Sequence, residues 1–266
     1  MWEIGMKIGS SNDPAAVKAQ YATSKGLDIR RTFHDRYSVN KQGYSNWIVS
    51  NYDIGKGMKV LEIGCGTGSL WLNREDITAN CGKLILTDIS EGMLETAKAA
   101  LGERDNLEYL VEDIQNLSFE DDCFDVVIAN SMLYHVPDLD RGLQEVRRVL
   151  KAGGVFCCAT LGEHNFTDTL AEWFRLDGES FHPNHNFTMQ NGGEKLGKYF
   201  SDITPLFYED SLRITDIDDL MDYLCSLASF KAIMDLPVRK MRHILEQHVT
   251  DGIIELPKEY GMFICR

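Results

Sequence analysis

The sequence lacks the features that mark membrane and secreted proteins. No stretch approaches the roughly 18 consecutive apolar residues that a membrane-spanning helix requires. We expect no secretory signal, because no continuous apolar run follows a basic region near Met1. The seven cysteines contain no C-x-x-C pair, which argues against a zinc site and indicates reduced thiols. These absences predict a cytoplasmic protein.

Basic residues are in the minority. The chain has 27 Lys and Arg against 41 Asp and Glu, a formal net charge of −14. Affinity for nucleic acid comes mainly from neutralising phosphates, so an acidic chain is a poor default binder of nucleic acid. The basic residues Arg147, Arg148 and Lys151 are better interpreted as a solvated helix face. We therefore expect a small-molecule partner, and both a monomer and a homodimer stay open.

The segment Val60–Leu70, VLEIGCGTGSL, is the most informative part of the chain. Its first residues predict a buried strand, glycines follow at Gly64, Gly66 and Gly68, and a helix is expected next. Glycine lets bare backbone approach a ligand, and the N-terminus of a helix directs N–H groups and a positive dipole end at the same place. The segment predicts a nucleotide or nucleoside site in an α/β protein.

Two better-known glycine patterns do not match this turn. A dinucleotide fingerprint, G-x-G-x-x-G/A, requires glycine or alanine where this chain has Ser69. A phosphate-binding P-loop requires a following G-K-[ST], which is absent. Both departures argue against a nicotinamide, flavin or P-loop site. A tight strand-to-helix turn without a ligand stays an alternative for the glycines taken alone.

Two aspartates follow the glycines at the ends of later predicted strands. Asp88 ends the second strand, where a carboxylate can accept both ribose hydroxyls of an adenosine. An N-cap role is the alternative for Asp88, but Ser90 can fill it equally well. Asp113 follows the third strand and can accept from the exocyclic amine of an adenine, with Ile114 against the ring. An ordinary loop aspartate is the alternative for Asp113.

Strands and helices alternate through the middle of the chain. Their apolar runs lack a polar alternation, which suits a parallel sheet covered on both faces. The predicted strands are Lys59–Ile63, Lys83–Asp88, Leu107–Val111, Cys123–Asn130, Val155–Leu161, Ile203–Ile214 and Ile253–Cys265. The predicted helices are Ala15–Ser24, Glu91–Leu101, Asp138–Leu150, Asp216–Phe230 and Val238–Val249, with a further helix in the aromatic segment Phe33–Val49.

These residues together resemble the class I S-adenosylmethionine-dependent methyltransferases. The resemblance extends over about residues 58–160 and includes Asn130 with the following Met132–Val136. It looks like the small-molecule branch related to ubiquinone and menaquinone biosynthesis. The implied fold is α/β, a Rossmann-like, doubly wound, seven-stranded and mostly parallel sheet with a helical cap inserted after the fifth strand. Residues 1–50 would cover the core, 51–161 bind the cofactor, and 162–266 supply cap helices and closing strands.

The resemblance also implies the positions that bind S-adenosyl-L-methionine. The glycine turn and Glu62 would surround the methionine part, Asp88 would hold the ribose, and Asn130 would lie under the amino-acid moiety. The aromatic segment around Tyr37 would cover the cofactor from the N-terminal side. The full expected set is Glu62, Gly64, Cys65, Gly66, Gly68, Asp88, Ile89, Met93, Asp113, Ile114, Asn130 and Tyr37.

His135 is the leading candidate for a general base. It follows the fourth predicted strand, beside the expected position of the methyl group. An unperturbed imidazole has a pKa near working pH, as a general base requires. Packing or a backbone hydrogen bond under the cap is the alternative role, and Tyr134 is the second catalytic candidate.

A histidine-containing segment after the fifth strand invites a metal interpretation. It comprises residues 182–185, HPNH, with His164 upstream. The proline breaks helical spacing, and neither a carboxylate nor a cysteine stands at matching spacing, so we expect no metal. A substrate-lining loop is the preferred interpretation, with Trp173, Phe181 and Phe187 as its apolar wall. The alternative is that some of these aromatics are cap core.

The predicted function is methyl transfer from S-adenosylmethionine to a small-molecule acceptor. One alternative is a methyltransferase acting on a modified tRNA base or another macromolecule. A second is a catalytically silent S-adenosylmethionine-binding protein. A third, a nicotinamide-dependent oxidoreductase, would differ by binding NAD instead of S-adenosylhomocysteine.

Overall fold

A computed structural model describes residues 25–174, 184–227 and 236–266. The helix expected over Ala15–Ser24 lies outside these ranges, as do Phe181 and His182. Seven strands form one sheet in the order β3-β2-β1-β4-β5-β7-β6. They are β1 (Lys59–Ile63), β2 (Lys83–Asp88), β3 (Leu107–Val111), β4 (Phe124–Asn130), β5 (Leu150–Leu161), β6 (Ile203–Ile214) and β7 (Ile254–Cys265).

The sheet is mostly parallel, as the sequence predicts. Neighbours among β1 to β5 pair in parallel, and β7 pairs antiparallel with both β5 and β6. The helices of the described residues are α1 (Lys25–Tyr37), α2 (Tyr44–Ser50), α3 (Glu75–Thr78), α4 (Glu91–Leu101), α5 (Leu139–Val149), α6 (Phe166–Trp173), α7 (Gly192–Leu196), α8 (Ile217–Cys225) and α9 (Val238–Glu246). In the described ranges, none of them is both long and apolar enough to cross a bilayer.

Buried apolar side chains cover both faces of the sheet. On one face, α5 buries Leu143 and Val146 together with Phe124 of β4 and Phe156 of β5. On the other face, a second cluster combines strand residues with Ile48 of α2. Burial on both faces explains why the central strands read as continuous apolar runs.

Some element boundaries differ from the expected ones. β5 begins at Leu150 instead of Val155, because Leu150 pairs with Phe124 before a register shift. The aromatic segment Phe33–Val49 divides between α1 and α2, with Ser38 between them in an isolated bridge to Leu212 of β6. α8 ends at Cys225 and α9 at Glu246, several residues before their expected ends.

The last two strands extend beyond the carboxyl end of the sheet. β6 and β7 pair over twelve positions, whereas β5 pairs with β7 only from Phe156 to Leu161. Helices α1, α6, α8 and α9 pack on this extension in a buried cluster that we name the cap cluster. It includes Phe33, Phe166, Leu212, Tyr223, Met241 and Tyr260. The cap therefore contains α1 and the helices between β6 and β7, in addition to the segment after β5.

Candidate functional site

The carboxyl ends of β1, β2 and β4 meet at one edge of the sheet. Ile63 of β1 pairs with Thr87 of β2, and Glu62 pairs with Ile128 of β4. The backbone N–H of Cys65 donates to the Thr87 carbonyl at 2.9 Å, so the turn after β1 folds over the end of β2. Ligands of open parallel sheets bind at this edge.

The three glycines of this turn serve two different purposes. All have positive φ angles, +72° at Gly64, +56° at Gly66 and +68° at Gly68. A Cβ at Gly64 would come within 2.9 Å of Met132, and one at Gly68 within 2.8 Å of Leu101. A Cβ at Gly66 would have none of the surrounding described atoms within 4 Å. Gly64 and Gly68 allow close packing, and Gly66 presents backbone to open space.

Asp88 organises the turn from the end of β2. One carboxylate oxygen accepts the Gly66 N–H and the other accepts the Ser90 N–H, both at 2.9 Å. Burial raises the pKa of Asp88, although these N–H groups and that of Ile89 act in the opposite direction. Ser90 provides the N-cap of α4 by accepting from the Met93 N–H. The half-buried Asp88 carboxylate keeps lone pairs available for further donors at the open side of Gly66.

Glu62 lies at the centre of a buried polar network. Its carboxylate accepts from Trp71 Nε1 at 2.6 Å and from Asn130 Nδ2 at 3.5 Å. The same Asn130 amide donates to the Tyr52 hydroxyl at 2.7 Å. Burial raises the pKa of Glu62 to about 7, with Asp88 adding to the effect, whereas the hydrogen bonds from Trp71 and Asn130 lower it.

Asn130 has an acceptor that the described residues do not satisfy. Its Oδ1 atom is buried and has no hydrogen-bond partner among them. An unsatisfied buried acceptor beside a buried carboxylate fits a cationic donor such as the α-ammonium of an amino acid. The residues present therefore fit the methionine part of S-adenosylmethionine.

Tyr52 and Trp71 were not identified from the sequence. Both contribute to the network around Glu62, and their rings stack with centroids 6.3 Å apart. Trp71 follows the glycines in a 3₁₀ helix, and Tyr52 lies in the connection before β1. Neither residue carries a motif, because Trp71 reaches Glu62 through the turn after β1 and Tyr52 joins the network through Asn130 of β4.

Asp113 and Ile114 lie after the end of β3. The Gln115 backbone N–H donates to Asp113 Oδ1 at 2.9 Å, and the Gln115 side-chain amide contacts both carboxylate oxygens at 3.1 Å. Ile114 is buried, and it lies 3.4 Å from the position that a Cβ on Gly142 would occupy. Ile89, at the neighbouring strand end, is 38% exposed, whereas Met93 is buried in α4.

The two catalytic candidates lie directly after β4. Tyr134 and His135 belong to a 3₁₀ helix, Leu133–His135, and their rings are 4.5 Å apart. The Asn184 side-chain amide donates to the Tyr134 carbonyl at 2.5 Å, and Asn186 donates to Val136. Both candidates are half-buried, and this helix adjoins the strand end that carries Asn130.

Tyr37 does not join the residues at the strand ends. It is buried in the cap cluster, where its hydroxyl donates to Asp219 of α8 at 2.6 Å. Burial and this contact raise the pKa of Tyr37 to about 12. The structure thus gives Tyr37 packing contacts between α1 and α8.

Several residues of the segment after β5 that were expected to line a substrate loop have packing contacts instead. Phe187 is fully buried in a core cluster, and its carbonyl accepts from Thr160. Trp173 stacks on His248 with centroids 3.7 Å apart. His185 contacts Asp168 at 2.8 Å. Within the described residues, no group of three or more His, Cys, Asp or Glu side chains could hold a metal.

Comparisons with known proteins identify the class of this site. A family model described as a methyltransferase domain matches residues 61–158. This segment contains the glycine turn, Asp88, Asp113, Asn130 and the 3₁₀ helix with His135. Residues 61–158 of the chain therefore correspond to a methyltransferase domain.

Within that class the chain is similar to a demethylmenaquinone methyltransferase of Staphylococcus epidermidis. The two are 34% identical over 111 residues, which are 42% of this chain and 46% of the relative. The chain thus spans about half the length of the relatives it matches.

Solved structures share the fold at low sequence identity. The YcgJ protein of Bacillus subtilis has a TM-score of 0.58 and 17% identity, covering 83% of this chain and 96% of its own. Phosphoethanolamine N-methyltransferase 2 of Haemonchus contortus has a TM-score of 0.59 and 17% identity, covering 97% of this chain and 60% of its own. That structure contains phosphomonomethylethanolamine and S-adenosylhomocysteine. At this level of identity the two structures support the fold.

Proposed function

We propose that this protein transfers a methyl group from S-adenosylmethionine to a small-molecule acceptor. The observation that carries the proposal is the unsatisfied Asn130 Oδ1 beside the Glu62 carboxylate. It provides a place for the α-ammonium group at one end of the strand edge. Asp88 and the open backbone at Gly66 then provide a place for the ribose.

The proposed site assigns a task to each group of residues. Glu62 and Asn130 hold the amino-acid moiety, Asp88 holds the ribose hydroxyls, and Asp113 accepts from the adenine amine. When bound, S-adenosylmethionine supplies a methyl group on a sulfonium cation. The chain must align the acceptor atom with that methyl group and exclude water.

His135 is proposed to remove a proton from the acceptor. The position of His135 in the 3₁₀ helix directly after β4 supports this role. An acceptor that carries a proton, such as a hydroxyl or amine, requires such a base. The neighbouring Tyr134 ring can steady positive charge through its face.

A small molecule is the favoured acceptor class. The similar Staphylococcus protein is named a demethylmenaquinone methyltransferase, and a net charge of −14 disfavours a nucleic-acid substrate. A surface that neutralised phosphates would instead support the macromolecular alternative.

Two measurements test the proposed function. Calorimetry should detect binding of S-adenosylhomocysteine and no binding of NAD. A metabolite screen with purified protein should then release S-adenosylhomocysteine with at least one small acceptor. Binding of NAD would contradict the proposed cofactor. Cofactor binding without turnover on any acceptor would support a silent cofactor-binding protein.

A further inference from the structure

The side-chain amide of Asn130 is held by acceptors from two other parts of the chain. Its Nδ2 atom lies 2.7 Å from the Tyr52 hydroxyl oxygen and 3.5 Å from Oε1 of Glu62. A primary amide has two N–H donors, so these two contacts use both of them. The contact with Tyr52 is much the shorter and is therefore the stronger anchor. The Oδ1 atom is left on the other side of the amide, where it is buried and unsatisfied by the described residues.

The end of helix α2 sets the position of Tyr52. The Tyr52 backbone N–H donates to the Val49 carbonyl at 3.1 Å, and the preceding Asn51 is the C-cap of that helix. The Tyr52 ring stacks on the Trp71 ring with an angle of 27° between the two planes. Burial raises the pKa of the Tyr52 hydroxyl well above its ordinary value, so the hydroxyl stays protonated. The segment before β1 thus brings a neutral hydroxyl to the strand end that carries Asn130.

Glu62 determines which way round the Asn130 amide lies. Trp71 Nε1 donates to Oε2 of Glu62 at 2.6 Å, so Oε1 is the oxygen that meets Asn130. A hydroxyl can accept or donate, and the Tyr52 hydroxyl alone would therefore suit either end of the amide. In the reversed amide, however, Oδ1 would face Oε1 of the Glu62 carboxylate, and the two oxygens would repel each other. Tyr52 anchors the amide, and Glu62 fixes its direction.

The direction of this amide matters for a ligand with an α-ammonium group. With both N–H groups engaged by protein acceptors, Asn130 offers the ligand only its Oδ1 lone pairs, which attract an ammonium. Without the Tyr52 hydroxyl, one N–H of the amide loses its partner, and the 3.5 Å contact with Glu62 alone would hold the group. The amide could then turn and present N–H donors, which repel an ammonium.

We propose that Tyr52 is a positioning residue that acts through Asn130 and favours ligands with an α-amino-acid part over adenosine compounds that lack one. Its hydroxyl acts on the Asn130 amide, and no contact of Tyr52 with the ligand is required. This inference rests on the proposed function, because it concerns the methyl-donor side of the same site.

A matched pair of ligands tests the positioning role. Wild type and Tyr52→Phe are titrated by calorimetry with S-adenosylhomocysteine and with 5′-methylthioadenosine, which share the adenosine and the sulfur atom. Only S-adenosylhomocysteine carries the amino-acid part. We expect Tyr52→Phe to lose about fivefold in affinity for S-adenosylhomocysteine and none for 5′-methylthioadenosine. A loss shared equally by both ligands, or an unchanged affinity for S-adenosylhomocysteine, would overturn the inference.

Tyr199→Phe is the matched control for removal of a hydroxyl. The Tyr199 hydroxyl donates to the exposed Asp140 at 3.0 Å, outside the proposed site. The control should keep the wild-type affinity for both ligands. A selective loss of S-adenosylhomocysteine affinity in Tyr199→Phe as well would show that the effect does not depend on Asn130, and it would overturn the inference.

A double-mutant cycle tests whether Tyr52 acts through Asn130. In an Asn130→Ala background, Tyr52→Phe should cause no further loss of S-adenosylhomocysteine affinity, because the amide that Tyr52 holds is gone. The same fivefold loss in both backgrounds would show that the hydroxyl acts by another route, which would refute the positioning role.

The same samples separate this inference from the proposed function. Absence of S-adenosylhomocysteine binding in the wild type would refute the proposed function itself. Normal wild-type binding without a selective loss in Tyr52→Phe would refute the positioning role alone. Hydrogen exchange of wild-type protein with isotope-labelled asparagine needs no Tyr52 variant, and the Asn130 amide signal is identified by its absence in Asn130→Ala. This signal should exchange slowly without ligand, and fast exchange would refute the positioning role even if Tyr52→Phe failed to fold.

Discussion

The Asp88 carboxylate holds the glycine turn and is proposed to bind the ribose as well. Its two oxygens accept the N–H groups of Gly66 and Ser90. Each oxygen has a further lone pair, so ribose hydroxyls can join without displacing these bonds. A single residue thus connects the shape of the turn with its affinity for the cofactor.

Asp88→Ala should weaken binding of S-adenosylhomocysteine by about tenfold or more, because an acceptor for two hydroxyls is lost. Calorimetry measures the affinity, and a thermal melt reports the loosening of the turn. Asp105→Ala is the matched control, since Asp105 is an exposed aspartate before β3. Unchanged affinity in Asp88→Ala would refute the ribose assignment.

Glu62 should make both stability and cofactor affinity depend on pH. Burial raises its pKa from 4.5 to about 7, so the folded protein keeps a proton that the unfolded chain releases earlier. The contribution of Glu62 to the free energy of unfolding therefore falls between these two pH values and stays lost above pH 7. In contrast, an ammonium ligand favours the ionised carboxylate, so affinity should rise over the same range.

Glu62→Gln removes this titration. The ligand-free variant should be more stable than the wild type at pH 8 by about 1–3 kcal/mol. Calorimetry from about pH 6 to pH 8 should show S-adenosylhomocysteine affinity rising in the wild type and flat in the variant. Identical pH profiles of the two proteins would exclude Glu62 as the titrating group.

His135→Ala should slow methyl transfer by about 10²–10⁴-fold with cofactor affinity nearly intact. The physical reason is that the acceptor would lose its base but the strand ends would be unaltered. His164→Ala is the control, because His164 is exposed after β5. Steady-state turnover and calorimetry on each variant make the comparison, and a fully active His135→Ala would remove His135 from the mechanism.

At the scale of elements, the glycines of the turn after β1 have two different surroundings. Gly64 and Gly68 face Met132 and Leu101 at distances that exclude a Cβ, whereas Gly66 faces open space. Substitutions at the three glycines should therefore impair the protein for different reasons. Side chains at the first two would disturb the core, and a side chain at Gly66 would obstruct the ligand.

Gly66→Ala should abolish detectable cofactor binding with a stability loss of only about 1–2 kcal/mol, the usual penalty of a positive φ. Gly252→Ala is the matched control, because Gly252 has φ +76° and equally open surroundings outside the site. It should lose similar stability and keep full affinity. Equal affinity in both variants would show that Gly66 does not face the ligand.

Local patterns predicted most of the sheet correctly. β1, β2, β3 and β6 have the expected bounds, because their apolar runs end at glycine or polar residues. The start of β5 was wrong, because Leu150 extends the strand through a pairing with Phe124 that no local pattern records. At the site, Asp88 was expected from its place at the end of the second strand, and Glu62 was implied by the family resemblance. Tyr52 and the position of Tyr37 depend on tertiary contacts, which are invisible in one sequence.

At the scale of the whole molecule, the net charge should keep the protein away from polyanions. The chain has a formal net charge of −14. Helix α9 exposes two adjacent cations, Arg239 and Lys240. We expect no binding of labelled tRNA below about 10 μM protein at physiological salt, measured by fluorescence anisotropy. Tighter, salt-sensitive binding would support a macromolecular substrate, and charge reversal at Arg239 and Lys240 would locate it.

The cap joins parts of the chain that are far apart in sequence. Ser38, just after α1, accepts a hydrogen bond from Lys258 of β7, and Tyr37 donates to Asp219. During synthesis on the ribosome, β1 to β5 emerge before β7 does. A nascent chain can thus complete the strand ends around Glu62 and Asp88 while its acceptor side is still unformed. On the proposed assignment, the nascent protein can bind its methyl donor before it can enclose an acceptor.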